Sequence, residues 1–102
     1  MKIPEDEFIR ELLPEFIDDW LNNINENFDN YYNDKDAHEM YRLAHTLKGS
    51  CFQFSLDDIA ETGISLMELA KNEKWNEIPE YKNKLLNMFD GVNQFLLDNK
   101  LR

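Results

Sequence analysis

Two histidines, His38 and His45, are the side chains of this chain best suited to nucleophilic chemistry near neutral pH. An imidazole is a good nucleophile near neutral pH because much of it is unprotonated at its ordinary pKa of about 6.5. Of the two histidines, His45 has the richer surroundings. Arg42 and Lys48 stand three residues before and after it, where side chains on one helix face can meet. Gly49 follows one turn later and leaves space beside the ring; a glycine inside a helical run needs such a reason. Residues 1–36 hold eleven acids and three basic residues, whereas Met40 to Leu56 contain Arg42 and Lys48 and no acid. A local cationic patch in an acidic chain suits an anion held at His45.

The element that carries these residues must present them outward. With Leu47 as the origin of a helical wheel at about 100° per residue, Met40, Leu43, Ala44, Cys51 and Phe54 fall within about 60° of it. They form a buried stripe. His45 falls at about 160°, nearly opposite, with His38, Tyr41, Arg42, Lys48, Gly49 and Phe52 on its side. His45 is therefore expected to be exposed, and Tyr41 and Phe52 put aromatic surface on a wet face, as partner docking requires.

This helix is predicted to begin near Asp36, as N-cap or first-turn acid, and to run to about Phe54. A first helix is expected to open at Pro4, with Phe8, Ile9, Leu12 and Leu13 as its stripe. Pro14 should kink or restart it. The stripe resumes at Phe16, Ile17, Trp20, Leu21, Ile24 and Phe28, and the exit falls at 30–34. Ser55 is read as the cap of a third helix, with Asp58 completing a near capping box. Leu56, Ile59, Ala60, Gly63, Leu66, Met67 and Ala70 give that helix its buried face, and Gly63 implies a close approach of two helices. A fourth helix has Pro79 in its first turn and an apolar face from Ile78 to Leu96, with Gly91 as a weak point. Four helical segments with short loops predict an all-α, antiparallel up-and-down four-helix bundle with a short or kinked N-terminal helix. The expected core includes Leu43, Leu47, Cys51, Ile59, Leu66, Leu85 and Phe89.

Composition narrows the function classes. The 102 residues make one domain, 1–102, and 42% hydrophobic residues suffice for its core. A net charge of −10 is the wrong sign for nucleic acid or an anionic membrane. No apolar run approaches the ~20 residues of a membrane span or resembles a signal peptide, so the expected location is cytoplasmic, and Cys51 has no partner for a disulfide. The initiator Met and the compact length favour a free-standing protein, and a monomer is expected. The chain has no Gly-rich phosphate loop, Walker pattern or kinase signature. His38 and His45 share a face in a carboxylate-rich chain, which leaves a metal-binding bundle as an alternative. However, neither Glu-x-x-His nor His-Glu-x-x-His occurs.

The run His45-Thr46-Leu47-Lys48-Gly49-Ser50, preceded by Arg42-Leu43-Ala44, resembles the His-x-Leu-Lys-Gly-Ser core of histidine phosphotransfer (HPt) domains. Ile59-Ala60-Glu61-Thr62-Gly63 through Leu66, Glu68 and Ala70 also looks like the family's following helix. By motif the resemblance covers roughly residues 36–72. It implies a four-helix bundle with the histidine exposed midway along one helix. It also implies that His45 is the phosphorylated residue, that Lys48 stabilises the phosphoryl oxygens, and that Gly49, with Arg42 nearby, makes the phosphate environment. The implied partners are receiver domains of response regulators or hybrid histidine kinases, docking on Tyr41, Phe52 and Ile64. The implied activity is that of a phosphocarrier, not an independent kinase, with no metal or cofactor of its own. An HPt-like adaptor that binds receivers without transfer is the alternative. The chain departs from the family at Phe52, where small residues are common, at Ser55, where Gly is usual, and at Met67, where some branches carry Gln.

Overall fold

Apolar residues at helical spacing fix where each element runs. The computed structural model describes residues 3–102. Helix α1 spans Glu7–Asn33, α2 Ala37–Gln53, α3 Asp57–Lys71 and α4 Pro79–Asp98, with a short 3₁₀ turn at Trp75–Glu77 before α4. No strand occurs among the described residues. Connections of three residues join α1 to α2 and α2 to α3, so successive helices fold back on one another into the four-helix bundle that the periodicity predicts. The long dimension of 40 Å is the length of α1, at about 1.5 Å per residue. All seven expected core residues are buried.

The N-terminal helix corrects two expectations. Of the alternatives left open at Pro14, a short or restarted helix does not occur: α1 runs through the proline for 27 residues, and it starts at Glu7 and not at Pro4. Asp6 is its cap: one side-chain oxygen accepts from the backbone N–H of Phe8 at 2.8 Å and of Ile9 at 3.3 Å. An interior proline costs about 3 kcal/mol. Leu13 and Ile17, fully buried on either side of it, each return about 1.5–3 kcal/mol and so carry the helix across. Continuity also fixes the phase. The buried stripe Leu13, Ile17, Trp20, Ile24 and Phe28 places Phe8 and Leu12 outside it, and they are 70% and 44% exposed.

Ser55 is the third correction. It does not cap α3, whose N-cap is Leu56 with no side-chain hydrogen bond. Ser55 instead ends α2 in the left-handed region, at φ 59°. Its N–H donates to the Phe52 carbonyl at 3.1 Å and the next N–H, of Leu56, donates to Cys51 at 2.8 Å, the paired bonds of a Schellman ending. The other three helices close in the same way, around Lys35, Glu73 and Lys100, with φ of 53°, 52° and 56°.

Candidate functional site

Helix α2 is held at both ends. Asp36 caps it by accepting from the Glu39 N–H at 3.1 Å. At the other end Phe54 stacks on Phe16 of α1, with ring centroids 4.0 Å apart. Between these ends the buried stripe of Met40, Leu43, Ala44, Leu47 and Cys51 faces the core. The turn from Ala44 to Lys48 is braced from behind by α3. A Cβ built on Gly63 would lie 2.8 Å from Leu47 Cδ2, 3.2 Å from the Ala44 carbonyl oxygen and 3.4 Å from the Lys48 nitrogen. Glycine at 63 is what lets α3 seat against this turn, the close approach expected from the sequence.

His45 projects from the opposite side of the same turn and is exposed. Its ring stacks on Tyr41, with centroids 6.2 Å apart and planes at 21°. A Cβ on Gly49 would meet nothing within 4 Å, so the space one turn beyond His45 is open. Lys48 is half-buried and, among the described residues, forms no ion pair. Tyr41, Phe52 and Ile64 are 36%, 44% and 40% exposed. Met67 is half-buried.

The two cations flanking His45 differ. Arg42 lies on the side facing α1 and pairs with Glu39, Nη1 to Oε1 at 3.2 Å. Beside this pair runs a polar cleft of about 200 Å³, to which Asn23, Asn27 and Tyr31 of α1 and Thr46 of α2 contribute. Asn27 donates to Asn23 at 2.8 Å within it. Sequence reading missed both the Glu39–Arg42 pair and this cleft. The Glu-x-x-Arg spacing from 39 to 42 was the available signal for the pair. A larger groove of about 420 Å³ lies elsewhere, between the start of α3 and Gly91 of α4.

Cys51, the other nucleophilic type on α2, is fully buried, and burial pushes its thiol up to about 12. Among the described residues no three His, Cys, Asp or Glu side chains gather where a metal could be held. No helix there is long and apolar enough to cross a membrane.

The helical bundle presents two exposed imidazoles, His38 and His45, and His45 is the one on the braced turn, between Arg42 and Lys48 in sequence. The family model described as Hpt domain matches residues 7–95, and the chain belongs to that family. No curated protein and no solved structure matches it.

Proposed function

We propose that this protein carries a phosphoryl group on His45 between receiver-domain aspartates in two-component signalling, as a cytoplasmic monomer. The observation that supports this most is the placement of His45: exposed, opposite the buried stripe, on a turn braced by Gly63, with open space at Gly49. In the transfer, the unprotonated Nε2 attacks the phosphorus of a receiver aspartyl phosphate in line. The N–P bond forms as the P–O bond to the aspartate breaks, and the aspartate leaves as a carboxylate. The reverse step returns the group to a second receiver. Lys48 acts as a point charge on the phosphoryl oxygens, and Arg42 and Gly49 complete the phosphate environment. Tyr41, Phe52 and Ile64 form the apolar part of the docking surface. The receiver supplies the Mg²⁺, and this chain supplies the nucleophile and the charge.

The test is labelling by a radiolabelled phosphorylated receiver. The label should be acid-labile and base-stable, as a phosphoramidate is and an aspartyl phosphate is not. His45→Gln should abolish it and His38→Gln should leave it. Persisting label on the His45→Gln protein would overturn the assignment. Receiver binding without any label would leave a docking adaptor in its place.

A further inference from the structure

The flanks of His45 are asymmetric in a way that Lys48 does not explain. Arg42 and Lys48 stand about 60° to either side of His45 on the wheel, close enough for both to reach a group attached to the ring. Only Arg42 is already engaged, with Glu39, and that pair is solvent-exposed, the side chains being 70% and 31% accessible. An exposed pair of this kind contributes little to stability and is easily exchanged. A phosphoryl group carries nearly two negative charges against the single charge of a carboxylate, and its oxygens match the guanidinium fork.

Glu39 is also placed to be released at small cost. It lies in the first turn of α2, where the helix N-terminus favours a carboxylate. Its backbone N–H is satisfied by Asp36 at 3.1 Å. Its side chain does not close a reciprocal capping box, because the Asp36 N–H donates to the Tyr31 carbonyl at 3.0 Å. The carboxylate thus holds no structural post beyond its contact with Arg42, and leaving that contact keeps it beside the positive end of the helix.

We propose that Arg42 is a second phosphoryl ligand held in reserve by Glu39: when His45 is phosphorylated the guanidinium leaves Glu39 for the phosphoryl oxygens. Glu39 thereby sets how tightly His45 holds its cargo. This rests on His45 being the phosphorylated residue. Arg42 is the ligand on the α1 side and Lys48 the ligand on the α3 side. Removing the Glu39 charge leaves Arg42 free from the start and favours the dianionic phosphoryl group.

The experiment uses phosphoramidate, a small donor that phosphorylates accessible imidazoles without any receiver, on the full chain carrying His38→Gln. The proton affinity of the phosphoryl group on His45 is then followed by ³¹P NMR as a function of pH. Glu39→Gln should weaken that affinity about two- to fivefold, the range expected for one exposed charge pair. Arg42→Gln should strengthen it, and Arg42→Lys should fall between, keeping the charge and losing the fork. The decisive comparison is Glu39→Gln in the Arg42→Gln background, where its effect should largely vanish. An equal effect in both backgrounds would show that Glu39 acts by its own field, and no effect in either would show that the pair does not exchange; each overturns the proposal. Because the donor is chemical, the result stands apart from receiver labelling. If no receiver labels His45, the relay reading fails while the exchange remains measurable.

Discussion

The two faces of α2 carry two nucleophilic side chain types six residues apart and treat them in opposite ways. On the inner face Cys51 is sealed among apolar side chains, its thiol held protonated by burial. On the outer face His45 stands in solvent beside a stacked tyrosine and two cations. Glycine shows the same division. Gly63 packs behind the turn that bears His45, where a methyl group would press on the Leu47 side chain at 2.8 Å and crowd the Ala44 carbonyl at 3.2 Å, while Gly49, like Gly91, borders open space and is required by no packing in the free chain. The lesson is that a residue's position on the wheel, more than its type, decides whether it serves the fold or the chemistry. What packing leaves unexplained is where function should be sought.

The comparison can be broken on its inner face first. Leu47→Ala should lower stability by about 2–5 kcal/mol in urea titration, because it empties a fully buried position at the α2–α3 seam. A loss well under about 1 kcal/mol would mean the seam is not tightly packed. Gly63→Ala comes next. Its gain in helix propensity, about 1 kcal/mol, competes with overpacking of about 1–3 kcal/mol. The Ala44 carbonyl 3.2 Å from the new methyl is backbone and cannot turn aside, so a net loss of about 1–2 kcal/mol is expected. Labelling of His45 should slow as well, since α3 is pushed off the turn that carries it.

Gly49→Ala sharpens the comparison by reversing the sign. With nothing within 4 Å of the new methyl, stability should rise by up to about 1 kcal/mol while transfer from a receiver slows. A more stable protein with unchanged transfer would show that the open space has no role. The last test is at Cys51, where any effect is confined to alkaline pH. Its folded value of about 12 lies above the ordinary 9.0, so the protonated thiol favours the folded state. That contribution is complete below pH 9 and is lost as pH rises toward 12. The denaturation midpoint should therefore fall across that range more steeply than in Cys51→Ala, and the native thiol should resist alkylation until the protein unfolds.

Much of this was legible in the sequence because α2 is strongly periodic. Asp36 as its cap, its end near Phe54, the burial of Leu47 and Cys51 and the exposure of His45 all follow from one wheel. The misread places are those where two local signals overlap or where packing overrides propensity. Ser55 is a good N-cap by type, but α3 begins so soon after α2 that the residue one expects to start a helix is the one that ends the previous helix. Pro14 reads as a break until the burial around it is weighed. Once α1 is split there, Phe8 and Leu12 acquire a stripe of their own, whereas the continuous helix turns them outward. At the site, the pairing of Arg42 with Glu39 is not legible because an exposed i,i+3 spacing allows an ion pair without requiring one.

The four helix endings bear on how this molecule could change over time. Each places a residue other than glycine in the left-handed region, a conformation that costs about 1–2 kcal/mol for a residue with a Cβ. Lys35, Ser55, Glu73 and Lys100 lie at the corners of the bundle and outside the turn that carries His45. The fold thus leaves a reserve of stability unclaimed at sites separate from the histidine. Drift at these corners can raise or lower the melting point with the exposed face of α2 intact, and changes on that face can be tolerated when the corners compensate. Stability can therefore be adjusted at the corners apart from the exposed face of α2.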